Sequence, residues 1–106
     1  MDIVAVYITC KDNEQAITIG ETLVSERVVA CVNIINAIQS IYWWQGDICN
    51  DSECILIAKT RASLFDKVLK RTKELHTYEV PCVVALPITH SNPDYLKWIE
   101  DSTLNE

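Results

Sequence analysis

Residues 29–60 read VACVNIINAIQSIYWWQGDICNDSECILIAKT, and this stretch decides the fold. β-Branched and aromatic residues fill both halves, as is typical of strands, and Gly46-Asp47 is the strongest turn signal between them. The pattern predicts a hairpin of roughly sixteen residues per arm, far longer than average strands, or two shorter paired pieces. A second polar cluster at residues 50–52 leaves open a later reversal or a bulge in the returning arm.

A strand and a helix precede the hairpin. Residues 3–9, IVAVYIT, form a β-branched run that predicts a strand. Asp12 followed by Gln15 resembles a capping box, which opens a helix that we expect to continue to about Val28.

A second helix and strand follow the hairpin, and the chain then ends in a short helix. Apolar residues recur at helical spacing from about Ser63, and residues 81–88, PCVVALPI, predict a strand bracketed by prolines. Asn92 is placed to cap a terminal helix that Pro93 opens. The order β-α-β-β-α-β plus a C-terminal helix predicts one α+β domain over residues 1–106 with the ferredoxin-like arrangement.

Composition and charge exclude several classes of protein. The 106 residues carry a formal charge of −6, which disfavours binding to nucleic acid or to an anionic membrane. No leader segment is visible, and no apolar run reaches the ~20 residues that span a bilayer. The five cysteines have no C-x-x-C spacing, so we expect reduced thiols and a cytoplasmic location.

The predicted strands are apolar on both faces. In the first strand Ile3, Ala5 and Tyr7 oppose Val4, Val6 and Ile8. Two helices on one side of a sheet cannot cover both faces, and the terminal helix is short. The uncovered remainder would exceed the apolar patch that soluble monomers usually expose, so we expect other copies of the chain to bury it.

The aromatic run of the hairpin points to the same kind of contact. Strand alternation places Tyr42 and Trp44 on one face and Trp43 on the other. We expect all three to lie at a subunit interface, with both tryptophans largely buried and at least one of them covered by a neighbour.

Several short motifs in fixed order resemble the CutA divalent-cation tolerance family. These are ACVNI, SIYWWQGDI, ILIAKT, LHTYEVPCVVALPI and DYLKWI, and together they extend over nearly the whole chain. The resemblance implies a ferredoxin-like homotrimer whose long hairpins pair across subunits. It also implies a role in tolerance of copper and other divalent ions, acting by binding rather than catalysis.

Copper binding is ascribed to some members of that family, and the candidate ligands in this chain are Cys10, His76 and Cys82. Thiolate and imidazole groups together suit copper or zinc. Leu75 stands where some members have a further histidine, and Cys82 where some have an acid. The alternative is that Cys82 is a core residue in the last strand and that His76 caps a helix C-terminus.

A second function also fits the motifs, namely a regulatory or assembly module similar to the PII signalling proteins. Lys59, Tyr78, Trp44 and Trp98 lie in the segments that match the family most closely, and they could line a cleft between subunits for a small ligand or a partner protein. The alternative for these aromatic residues is interface packing. No nucleophile elbow or phosphate-binding glycine loop suggests an enzyme.

Overall fold

Residues 2–106, which a computed structural model describes, form a four-stranded antiparallel sheet and three α-helices. The strands are β1 (Ile3–Cys10), β2 (Cys31–Trp44), β3 (Asp47–Arg61) and β4 (Val83–Ile88). The helices are α1 (Asn13–Ser25), α2 (Phe65–Leu75), which a 3-10 turn at Ala62–Leu64 precedes, and α3 (Pro93–Ser102). The predicted α+β class and the order of the elements along the chain are confirmed.

The strand order across the sheet is β2-β3-β1-β4, so β2 and β4 are the edge strands. Pro87 lies inside β4 opposite Val4, which an edge strand tolerates because its outer side has no ladder to complete. The strand begins at Val83 rather than at Pro81. Cys82 therefore lies just before the strand, and the expectation that it is a core residue within that strand is wrong.

The hairpin reverses at Gln45 and Gly46, whose φ angles are 48° and 85°. Positive φ at both central residues is the requirement of the two-residue turn that matches strand twist. The arms contain 14 and 15 residues and pair from Trp44↔Asp47 down to Cys31↔Lys59. One long hairpin is therefore correct, and a reversal at residues 50–52 is not.

The hairpin contains a β-bulge, but it lies in the outgoing arm. The register shifts between Ile35 and Ile38 of β2, where Ala37 has a φ of 61°. Residues 50–52 of the returning arm pair without interruption. The alternative of a bulge in that arm is therefore wrong, since the extra residue is in the facing strand.

Helix α1 begins as its capping residues predict and ends earlier than expected. The Asp12 side chain accepts a hydrogen bond from the Gln15 N–H at 2.8 Å. The helix ends at Ser25 instead of about Val28, because Arg27 adopts a φ of 60° and turns the chain toward β2.

Helix α3 is capped as predicted and its C-terminal end is held by a buried arginine. Asn92 accepts a hydrogen bond from the Asp94 N–H at 3.0 Å, and Pro93 occupies the first turn. Arg61, only 8% exposed, donates to the Glu100 carbonyl at 2.6 Å and to the Thr103 hydroxyl at 2.9 Å. A cation at these C-terminal groups favours the docked helix.

The first face of the sheet is closed. Alternate residues of β1, namely Val4, Val6, Ile8 and Cys10, are buried in one core with apolar residues of α1 and α2. Gly20 lets α1 approach β2 closely, since a Cβ there would lie 2.9 Å from Cγ2 of Val32.

The second face is covered only at one end. There α3 buries Ile3 and Ala30 beneath Ile99. Beyond α3 the same face remains open, with Ile35 47%, Val84 48% and Leu86 51% exposed. The prediction of strands that are apolar on both faces is confirmed.

None of the helices among residues 2–106 is long and apolar enough to cross a membrane.

Candidate functional site

A groove of about 710 Å³ lies on the second face of the sheet, between the outer half of the hairpin and the segment that follows α2. Its lining combines aromatic rings, two carboxyl groups and small hydroxyls. The lining residues are Thr9, Ser40, Tyr42, Trp43, Trp44, Glu53, Thr77, Tyr78, Glu79, Val80 and Cys82.

The hairpin register brings the aromatic rings to this groove. Tyr42 pairs with Cys49 and Trp44 with Asp47, which places both side chains on the same face as Glu53. The Tyr42 hydroxyl donates a hydrogen bond to the Asp51 carboxylate. This hydrogen bond is the main cause that raises the pKa of Tyr42 to about 12.

A buried carboxyl group forms the floor of the groove. Glu53 is 6% exposed, and its Oε2 accepts a hydrogen bond from the Tyr78 hydroxyl at 2.7 Å. Burial, followed by this hydrogen bond, raises the pKa of Tyr78, so the phenol remains a donor. The lining contains no lysine, arginine or histidine, so the charge of the groove is acidic.

Sequence reasoning did not single out Glu53. The available signal was an acidic residue directly before the apolar run Cys54 to Ile57 of a predicted strand. Charged groups are rarely buried without a partner, so such a residue marks either the end of burial or a site. The chain supplies the partner, Tyr78, 25 residues later.

His76 holds the segment that carries Tyr78. Its Nε2 lies 2.8 Å from the Thr9 carbonyl oxygen, and its Nδ1 accepts a hydrogen bond from the Tyr78 N–H at 3.1 Å. Nε2 therefore carries the proton and donates to Thr9. The Tyr78 ring lies against the imidazole, with 4.6 Å between the ring centroids.

The three predicted metal ligands are not brought together. Cys10 is fully buried on the closed face, opposite Cys54, and burial raises the pKa of its thiol to about 12. Both nitrogens of His76 are already hydrogen-bonded, and Cys82 borders the groove on the other face. Within residues 2–106 no three His, Cys, Asp or Glu side chains are grouped to hold a metal ion, so Cys10, His76 and Cys82 do not form one metal site together.

The three residues predicted at a subunit interface are partly or largely exposed in the single chain. Trp43 is 71% exposed, and Tyr42 and Trp44 are each 39% exposed. Strand pairing confirms that Trp43 points to the face opposite Tyr42 and Trp44.

The residues predicted to line a cleft occupy two ends of the second face. Lys59 hydrogen-bonds Asn33, and its Nζ lies 6.0 Å from the centre of the Tyr95 ring, which stacks on Trp98. Tyr78 lies at the other end, beside Glu53. Lys59 and Glu53 are six positions apart on one strand, about 20 Å at 3.3 Å per residue. The two residues therefore do not line the same cleft within a single chain.

These features define a class of protein: a small α+β domain with an acidic, aromatic groove beside an uncovered apolar sheet face. Comparison with known families identifies the class further. A sequence model of the CutA1 divalent ion tolerance protein matches residues 4–102, and the chain belongs to this family.

Relatives in plants and bacteria are similar over nearly the whole chain. The divalent-cation tolerance protein CutA of Thermus thermophilus is 47% identical over 98 residues, which are 92% of this chain and 95% of the relative. The chloroplastic protein CutA 1 of Oryza sativa is 43% identical over 94% of this chain. The chain spans 56% of the length of that rice protein.

Solved structures agree in fold. The crystal structure of CutA1 from Oryza sativa superimposes with a TM-score of 0.97 at 40% identity, covering 100% of this chain and 97% of the other. The Thermus thermophilus protein gives a TM-score of 0.93 at 46% identity, covering 95% of this chain and 98% of the other.

Proposed function

We propose that this chain is a subunit of a ferredoxin-like homotrimer that contributes to divalent cation tolerance in the cytoplasm, by binding and not by catalysis. Membership of the CutA1 family supports the role in tolerance. The observation that carries the assembly is the open second face of the sheet, where Ile35, Val84 and Leu86 are about half exposed.

The open face has the chemistry of an interface between copies. Its exposed side chains are aliphatic, and they continue into the partly buried Tyr7 and Ile57 of the central strands. An apolar surface that spans several strands is unfavourable in water, and its burial stabilises association by roughly 25 cal/mol per Å² of apolar area. Tyr42 and Trp44 of the hairpin extend this surface beyond the sheet, whereas Trp43 lies on the opposite face.

Light scattering on a sizing column tests the assembly. We expect about three times the 12.0 kDa chain mass. Leu86→Glu places a charge on the open face and should dissociate the trimer, whereas Lys97→Glu on the outer side of α3 should not. A monomeric wild-type protein would refute the proposal.

Metal binding in the trimer would use exposed donors. Of the three predicted ligands, Cys82 borders open space, whereas Cys10 is enclosed and its thiol is held protonated. A soft ion such as copper requires thiolate, which an accessible cysteine supplies more readily. We expect Cys82 to contribute to copper affinity more than Cys10 does.

Equilibrium titration of the trimer with Cu(I) and Cu(II) separates the two cysteines. Cys82→Ser should weaken binding by about tenfold or more, because serine does not supply the soft thiolate donor. A tenfold change corresponds to about 1.4 kcal/mol. Cys10→Ser should leave the affinity unchanged. Affinity that is lost in Cys10→Ser and kept in Cys82→Ser would contradict this assignment, and an absence of micromolar binding would contradict metal binding altogether.

A further inference from the structure

The groove beside the hairpin has the composition of a site for an organic cation. Aromatic faces and a carboxylate together attract an ammonium group, the faces through their π electrons and the carboxylate through its charge. Four of the eleven lining residues are aromatic and two are acidic, and none is basic. We propose that the groove binds a protonated alkylamine.

Glu53 is the group that would receive the ammonium head. Its Oε2 is engaged by the Tyr78 hydroxyl, whereas its Oε1 has no hydrogen-bond partner among residues 2–106. Oε1 is not among the enclosed side-chain atoms that lack a partner in residues 2–106, so it is open to the groove and can accept from a cationic donor that enters. Because the Tyr78 hydroxyl is a single donor, the Glu53 carboxylate can accept a further hydrogen bond from an ammonium group.

The walls fit the alkyl part of such a ligand. Tyr42 and Trp44 stand on the same face as Glu53, and Val80 closes the side that the segment after α2 provides. Their exposed surfaces would gain contact with the alkyl chain of such a ligand. Ser40 and Thr9 add hydroxyl acceptors for the remaining N–H groups.

A metal ion suits the same groove less well than an amine. Hard divalent ions such as calcium take 6–8 oxygen ligands, and even magnesium requires a near-octahedral shell. Here Glu53 and Glu79 are the only carboxyl groups of the lining, and no metal-binding cluster exists within residues 2–106. The proposal therefore does not depend on the metal binding proposed above.

The indole N–H signals of the three tryptophans provide a site-specific readout by heteronuclear NMR. We expect n-butylammonium chloride to shift the signals of Trp43 and Trp44 saturably in the wild-type assembly. Trp98, which lies on α3 away from the groove, should not respond. 1-Butanol has the same alkyl chain without the charge, and it should bind at least about tenfold more weakly.

Glu53→Gln removes the charge and keeps both the size and an acceptor for Tyr78. It should weaken n-butylammonium binding by at least about tenfold, whereas the exposed carboxyl variant Glu21→Gln should bind as the wild type does. If Glu53→Gln fails to fold, the comparison of amine with alcohol in the wild type still decides. Equal affinity for n-butylammonium and 1-butanol, no saturable shift, or a response to Zn²⁺ alone would overturn the proposal. A neighbouring subunit that fills the groove would abolish the saturable shift.

Discussion

Both faces of the sheet carry apolar residues along β1 and β4, yet one face is closed by helices and the other stays partly open in a single chain. Leu56 and Ile57 are consecutive residues of β3 and show the difference, since the first is fully buried against α1 and the second is only partly covered. The hydrophobic effect acts on both faces. The first face therefore stabilises the subunit, whereas in the trimer proposed above the second face would have its stabilising contacts between subunits.

Truncation on each face should therefore have different consequences. Leu56→Ala should lower the free energy of unfolding by about 2–5 kcal/mol, because it leaves a cavity in a packed core. Ile57→Ala should cost less within the subunit. In the proposed trimer its further partners are other copies, so the additional loss should diminish at protein concentrations low enough to dissociate the trimer. Urea unfolding at several protein concentrations checks both variants. A concentration-independent loss in Ile57→Ala would remove the distinction between the faces.

The closed face should also resist added volume. Gly20→Ala brings a Cβ to 2.9 Å from the stiff side chain of Val32, and overpacking of this kind costs about 1–3 kcal/mol. The higher helix propensity of alanine returns about 1 kcal/mol, so we expect a net loss of about 1 kcal/mol. Glu21→Ala, one residue later on the exposed side of α1, should change stability by less than about 0.5 kcal/mol. Thermal or urea unfolding measures the pair, and a stabilised Gly20→Ala would show that α1 can move away from the sheet.

A further effect, which is small at neutral pH, concerns the thiol of Cys10 on the closed face. Burial raises its pKa to about 12, from 9.0 for an ordinary thiol. Between these values the unfolded chain loses the proton and the folded chain keeps it. The contribution of the protonated Cys10 thiol to the free energy of unfolding is therefore complete below pH 9. It declines as pH rises toward 12, by at most about 1.4 kcal/mol per pH unit.

Urea unfolding of the wild type and of Cys10→Ala between pH 7 and pH 10 isolates this contribution. The difference in stability between the two proteins should be constant up to about pH 8.5 and should then shrink. A difference that stays constant to pH 10 would show that the thiol ionises in the folded protein as readily as in the unfolded chain.

Local patterns in the sequence were sufficient for the elements and for the two-faced sheet. The turn at Gly46 and the caps at Asp12 and Asn92 were predictable because each depends on a few neighbouring residues with strong conformational preferences. The bulge at Ala37 was not, since alanine has no preference for positive φ and the shift is imposed by pairing.

The candidate site was predictable only in part, because it depends on contacts between distant segments. Tyr78 and Trp44 were expected to line a cleft, and both border the groove. Glu53 is recognisable only when the segment after α2 folds back to supply its phenol donor. Cys10 faces the core because of its position in the alternation of β1, and the presence of a thiol in the sequence does not show this.

The pairing of the sheet has a consequence for the order of folding. The β2–β3 ladder grows outward from a two-residue turn, so each pair closes a short loop, whereas Ile3 meets Ile88 from nearly the opposite end of the chain. Closing a longer loop costs more entropy, and contacts distant in sequence slow folding. We expect the hairpin to gain protection first in pulse-labelled hydrogen exchange and β4 last. Until β4 arrives, the free edge of β1 is open to the wrong chain, which makes the last strand of the sheet the step most sensitive to protein concentration during refolding.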